Sequence, residues 1–257
     1  DLTKKSIDTM LDLQTKKHKV AGKTYLASLD DAASMHNTQS DLYLRYDGTY
    51  NTHYNVQLNG LINENWVNMD YAIHAGRLPS HIVTIEDDVN LSGHINGPFS
   101  GLQISGKGEA MNGTVAYHGT KVGDTLENLT VTMNDIHALK LSTLLGQNTF
   151  PHGRADLKAD FAYLGKEKKR GSLVYTLKRG TLSNLPFTMK ARIDIENEKQ
   201  TFVADMTLAN AKINISKGSH DGDANLTTAF YVVDVKELTE FEALLGHRYQ
   251  GPLYAMG

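Results

Sequence analysis

The 257-residue chain contains no cysteine, shows no strong excess of either charge, and lacks a long apolar run. Without cysteine it can form no disulfide, no thiolate nucleophile and no cysteine-ligated zinc site. Its 26 basic and 29 acidic residues leave a net charge of −3, with no long run of one sign. This distribution argues against a general nucleic-acid binder, which needs clustered lysine and arginine. No stretch approaches the roughly 18 to 20 apolar residues that span a bilayer.

Apolar residues recur instead at every second position along most of the chain. The clearest run is FTMKARIDI at residues 187–195, and similar runs lie at 67–73, 157–163 and 202–208. Successive side chains of a strand point to opposite faces, so the pattern predicts a sheet with one apolar and one wet face. Turn-forming pairs between the runs predict a mainly β, antiparallel meander. We expect turns at Asp47-Gly48, Asn59-Gly60, Asn96-Gly97, Asn112-Gly113, Lys217-Gly218 and Asp221-Gly222.

Helical periodicity is confined to three short segments. Residues 136–145 and 236–245 place leucines on one face and end at Gly146 and Gly246, and glycine is a common helix C-terminal residue. The segment from Ser6 to Leu13 is a shorter version. We expect short helices at the joints between groups of strands.

The two longer helical segments belong to an internal repeat. Leu144-Leu145-Gly146 recurs as Leu244-Leu245-Gly246, after a strand and an aspartate and before a polar loop, a glycine and a new strand. Residues 10–14 and 22–29 offer a weaker third copy. The repeat predicts one continuous β-rich domain over residues 1–257, with modules 1–135, 136–235 and a truncated 236–257. We expect both ends to be cuts in a longer protein.

Three segments resemble the AsmA-like and TamB-like proteins of Gram-negative envelopes. They are LSGHINGPFSGLQISGKG (91–108), DIHALKLSTLLG (135–146) and GRADLKADF (153–161), and the resemblance covers about residues 80–257. It implies a strongly curved antiparallel sheet, as a taco-like groove or open barrel. It also implies a periplasmic protein that moves phospholipid between the inner and outer membranes. The family's inner-membrane anchor helix is missing from this sequence, as expected of an excised fragment.

The residues alone leave two arrangements open for the apolar face: a dry sandwich or solenoid core, and a groove that holds acyl chains. Many inward positions carry pliable methionine or small alanine, which tolerate varied apolar partners. These positions are Met69, Met133, Ala159, Met189, Ala191, Ala204, Met206 and Ala211. With the resemblance, they favour a lipid groove. The candidate groove residues, on one face of three successive strands, are Phe187, Met189, Ile193, Phe202, Met206, Ile213 and Ile215.

The rival functions are a structural or adhesive β-repeat protein with a dry core and a helper in outer-membrane protein assembly. The sequence contains no G-x-S-x-G, P-loop or G-x-G-x-x-G motif, and its histidines lack ligand spacing, so we expect no enzyme, metal or cofactor. Asp221 to Asn225 reads as a hairpin turn rather than a calcium loop. Asn90 and Asn225 each start an N-x-[ST] sequon two residues after an aspartate, which is either a chance match or a bacterial glycosylation acceptor.

Overall fold

The structure is a computed structural model that describes residues 6–14, 19–28, 42–50, 54–62, 65–78, 85–144 and 151–257. The chain forms two compact units, Asp1–Asp124 and Thr125–Gly257. The predicted module boundaries near residues 135 and 235 stay predictions. In each unit the described strands form a curved, unclosed antiparallel sheet in which strands that follow each other in sequence are hydrogen-bonded neighbours.

The described strands of the first unit form a continuous meander in which each pairs with the next. They are β1 (Ser6–Gln14), β2 (Lys19–Ser28), β3 (Leu42–Tyr50), β4 (Tyr54–Ile62), β5 (Trp66–Leu78), β6 (Ile85–Pro98), β7 (Leu102–Ala110) and β8 (Gly113–Val122).

The second unit repeats this arrangement and adds short helices at one end. Its strands are β9 (Thr125–His137), β10 (His152–Leu164), β11 (Lys169–Leu182), β12 (Leu185–Glu196), β13 (Lys199–Leu208), β14 (Ala211–Asp221), β15 (Leu226–Val235) and β16 (Leu253–Met256). Helix α1 (Ala138–Leu144) joins β9 to β10. A 3₁₀ turn (Leu238–Phe241) followed by α2 (Glu242–Leu245) joins β15 to β16.

The predicted fold class is confirmed, and so are two of the three predicted helical segments. A strand, a helical segment and a new strand follow one another twice, and a glycine with positive φ lies at the start of each new strand: Gly153 is the second residue of β10, and Gly251 lies two residues before β16. The predicted N-terminal helix and the third repeat copy are wrong. Ser6–Gln14 is instead strand β1, which pairs residue by residue with β2. Pairing with a neighbouring strand has overridden a weak helical pattern.

The glycine-based turn predictions are partly wrong. Met111 and Asn112 connect β7 to β8 with φ of 54° and 59°, as a two-residue hairpin turn requires, and a turn also follows Asp221. Asn96-Gly97 lies at the end of β6, just before the turn. By contrast Gly48, Gly60 and Gly218 lie inside strands.

Gly218 illustrates why these glycines are not in turns. It lies directly opposite Phe202 on the neighbouring strand, and a Cβ at this position would overlap the Phe202 ring. Gly171 lies opposite Phe161 in the same way. Glycine inside a strand lets another group approach the backbone closely, and here that group is a cross-strand aromatic ring.

The first unit uses the same device with tyrosines. A Cβ at Gly93 or Gly106 would overlap the Tyr71 side chain, and at Gly106 also that of Tyr117. The Tyr71 hydroxyl contacts the Tyr117 hydroxyl and donates to the carbonyl of Ser105 at 3.1 Å. Burial, with a smaller effect of the contact with Tyr117, raises the pKa of Tyr71. In the first unit, the Tyr71 and Tyr117 side chains thus fill the space beside glycines, which have no side chain.

Two glycines of the first unit provide a test of close strand approach. A Cβ at Gly108 would overlap the backbone oxygen of Asn90, whereas no atom of the described residues lies within 4 Å of a Cβ at Gly76. We expect Gly108→Ala to destabilise the unit by about 1–3 kcal/mol, as overpacking does. Gly76→Ala is the matched control, and its midpoint in urea should stay close to that of the wild type. Equal midpoints for the two variants would contradict the close approach at Gly108.

The helix α1 supplies a second test. Ala138, Leu141 and Ser142 form its buried side. In the second helical segment Phe241 is buried, whereas Leu244 is 42% exposed. The side chain of Leu144 lies outside the described residues.

We therefore expect Leu141→Asp to cost about 3 kcal/mol or more, because it buries an unpaired charge. At roughly 2–4 °C per kcal/mol, its melting temperature should fall by about 6–12 °C. Leu244→Asp, on an exposed leucine of the other helical segment, should melt within about 2 °C of the wild type. A large loss for Leu244→Asp would mean that this leucine is covered.

Candidate functional site

The second unit carries a continuous apolar face across consecutive strands, which we call the apolar face. Residues directly opposite each other in neighbouring antiparallel strands lie on the same face. One row across β11 to β15 consists of Leu177, Met189, Met206, Ile213 and Val233, each opposite the next. The next row, across β10 to β15, consists of Leu157, Tyr175, Ala191, Ala204, Ile215 and Tyr231.

Burial changes along the strands of the apolar face. Both helical segments connect strands at the same end of the unit, which we call the capped end. There Ile136 is fully buried and Leu177 and Phe187 are 1% and 6% exposed. Towards the opposite, open end, the larger apolar side chains of β12 to β14 are half-buried, while most of their neighbours in sequence are exposed. The apolar face is therefore dry at the capped end and only partly covered beyond it.

The structure brings all seven candidate groove residues onto this one face. Met189 lies opposite Met206, and Met206 lies opposite Ile213. Ile193 lies opposite Phe202, and Ile215 lies opposite Ala204. Phe187 differs from the other six because it is buried at the capped end, whereas the others are half-buried.

The seven candidate groove residues include none from β11. Leu173, Tyr175 and Leu177 continue the apolar face beyond β12, opposite Ile193, Ala191 and Met189. Their period-two spacing was the signal that could have included them. Tyr175 is unusual because its hydroxyl is buried and has no hydrogen-bond partner in the described part of the chain. Burial raises the pKa of Tyr175 to about 12.

The opposite face of the second unit is wet and carries paired charges. Lys158 and Asp160 lie 2.8 Å apart, and Arg192 and Asp194 lie 2.7 Å apart. An open hollow of about 540 Å³ on this face includes Asp205, which accepts a hydrogen bond from Asn214 at 2.6 Å. Exposed pairs of this kind contribute little to stability. Their chemistry is that of a solvated surface.

A polar clamp at the capped end holds the second helical segment. The Glu237 carboxylate accepts hydrogen bonds from the backbone N–H of Gly251 at 2.9 Å and of Thr239 at 3.2 Å. Asn210, in the turn between β13 and β14, donates to the Glu237 carbonyl at 2.9 Å. The hydrogen bond from Gly251, followed by that from Thr239, lowers the pKa of Glu237. The clamp joins the strand turn, the helical segment and the start of β16.

Two sequence-level alternatives can be placed in the structure. Asp221 begins a turn, in which its carboxylate accepts from the backbone N–H of Asp223 and Ala224. Of the two sequon asparagines, Asn90 lies in β6 with its side chain bonded to His74 at 2.6 Å, and Asn225 lies in the exposed turn before β15. Within the described ranges, no three His, Asp or Glu side chains are grouped to hold a metal ion.

Comparison with protein-family models, curated proteins and solved structures finds no match to this chain. None of the helices in the described residues has the length and apolar character needed to cross a membrane.

The clamp predicts an acid-sensitive contribution to stability. A carboxyl with a lowered pKa stabilises the fold fully above its unfolded pKa, ordinarily 4.5 for this group, and loses that contribution as the pH falls through the folded pKa. Glu237→Gln should lower the melting temperature at neutral pH and reduce the further loss below about pH 4.5.

Glu240→Gln, at an exposed carboxylate of the same helical segment, is the matched control. Melting curves from neutral to acid pH measure both variants. A Glu237→Gln curve that runs parallel to the wild type across this range would contradict the clamp.

Proposed function

We propose that this chain carries the acyl chains of phospholipid along the apolar face of its β-sheet. The proposal places it as a periplasmic segment of an AsmA-like or TamB-like protein, between the inner and outer membranes. The full protein would be held in the inner membrane by an anchor helix, and outer-membrane proteins are further candidate partners. The proposed role is transport and requires no catalytic residue.

The observation that carries the proposal is the half-burial of the apolar face. Met189, Ile193, Phe202, Met206 and Ile213 remain partly accessible, although they line a continuous apolar surface. Contiguous exposed apolar surface in a protein commonly marks a site that binds an apolar partner. A lipid tail laid on these residues would remove both its own surface and theirs from water.

The residue types on the apolar face also suit a mobile ligand. Met189 and Met206 lie opposite each other, and the flexible thioether adapts to partners of different shape. Ala191 and Ala204 lie opposite each other in the next row, and their small side chains project little from the sheet. A face built in this way can contact an acyl chain without fixing it at one point.

The buried residues at the capped end fit the rival function, a structural protein with a dry core, for that part of the apolar face. Leu177, Phe187 and Leu208 are nearly inaccessible to water, as in a dry structural core. A structural or adhesive β-repeat protein would extend such a core along the whole face. The two functions therefore differ in what the half-buried residues do, and Met206 is the residue on which to test them.

We expect Met206→Glu to keep the fold and to abolish lipid uptake. On an open face the new carboxylate can still reach water, but a charge beside an acyl chain is costly. Melting temperature and uptake of a fluorescent phospholipid should be measured on the same preparation. Uptake should be lost while the melting temperature falls by less than about 8 °C, or roughly 2–4 kcal/mol.

Thr207→Glu is the matched control, because Thr207 is the next residue of β13 and lies exposed on the wet face. It should retain both the melting temperature and the uptake. A fall of more than about 8 °C for Met206→Glu alone would indicate a dry core at this position and count against transport.

A further inference from the structure

Tyr175 places a polar group in the middle of the apolar face. It lies on β11, opposite Leu157 of β10 on one side and Ala191 of β12 on the other. Its hydroxyl oxygen is buried and makes no hydrogen bond to any described residue. Since a buried hydroxyl without a partner is costly, such a group in a native protein calls for an explanation.

Packing alone does not explain the hydroxyl. A phenylalanine at residue 175 would fill the same space with no polar atom to satisfy. Two other aromatic residues of the apolar face, Phe161 and Phe202, are phenylalanines, each over a glycine of the next strand. Tyr175 instead faces an alanine, Ala191, and the next residue in its row is also an alanine, Ala204.

The side chains around Tyr175 can yield to a ligand. Met189 and Met206 lie in the adjacent row, and methionine changes conformation at little cost. An acyl chain inserted between these methionines and the two alanines would lie beside the Tyr175 ring. Any oxygen that it carries nearby would be the first acceptor available to the buried hydroxyl.

We propose that the Tyr175 hydroxyl donates a hydrogen bond to the carbonyl oxygen of an acyl ester, so that the apolar face selects ester-linked lipids over ether-linked lipids and plain hydrocarbon. This inference rests on the proposed function, because it requires a lipid on the apolar face. It adds a specific contact that apolar surface alone does not provide.

The test compares two phospholipids that share headgroup and chain length, one with ester-linked and one with ether-linked chains. Their dissociation constants for the full chain are measured by displacement of a fluorescent naphthylamine probe. The wild type should bind the ester lipid about 2- to 12-fold more tightly, the range that one hydrogen bond gives. Tyr175→Phe should lose this preference by weakening only the ester lipid.

Tyr231→Phe is the matched control, because Tyr231 lies in the same row of the apolar face but is 43% exposed at its edge. It should keep the ester preference. The infrared band of the ester carbonyl should shift to lower frequency on binding to the wild type and to Tyr231→Phe, but not on binding to Tyr175→Phe. This shift reports the hydrogen bond itself rather than the packing.

Three results would overturn the inference. Equal affinity of the wild type for both lipids would remove the selectivity, and an equal loss for both lipids in Tyr175→Phe would indicate a packing role. A melting temperature of lipid-free Tyr175→Phe more than about 4 °C below the wild type would mean that a bound water already satisfies the hydroxyl. If the wild type binds neither lipid, the proposed function itself fails, which is distinguishable from binding without selectivity.

Discussion

The antiparallel pairing of neighbouring strands is the constraint on which the rest of this structure depends. Once each strand pairs with the next, directly opposite residues share a face. The apolar residues at every second position of one strand then lie beside those of its neighbours. Leu177, Met189, Met206 and Ile213 thereby become one row across four strands. A slip of one residue in the pairing of a strand would move its apolar side chains from the apolar face to the wet face. The same pairing also fixes the wet face.

The two ends of the strands in the second unit have different surroundings. At the capped end, helix α1, the second helical segment and the Glu237 clamp surround the connections between strands, and the apolar residues there are buried. At the open end, short turns such as Asn197-Glu198 connect the strands, and no helix lies there among the described residues. The capped end therefore resembles a protein core, and the remainder of the apolar face resembles a binding surface.

On the apolar face, aromatic side chains lie over glycines of the neighbouring strands. Phe161 and Phe202 cover glycines of the neighbouring strands, so that large and absent side chains alternate between strands. Alanine and then methionine occupy the next two rows from Phe202 towards the capped end. Tyr175 differs because it brings a hydroxyl into an apolar surface. Packing does not explain this hydroxyl, because phenylalanine would fill the same space.

The sequence alone determined the fold class, because period-two alternation has few other physical causes and every strand predicted from it is present where the structure describes the chain. It also determined that the seven candidate groove residues share one face of the sheet. Tertiary structure decided the rest. Ser6–Gln14 became a strand because β2 pairs with it, and Gly218 became a strand residue because the Phe202 ring lies over it. Phe187 is buried and Leu244 is exposed because burial depends on position relative to the capped end, which no local pattern records. The Tyr175 hydroxyl has no hydrogen-bond partner among the described residues, and this too emerges only when the strands are assembled, since such partners are neighbours in space rather than in sequence.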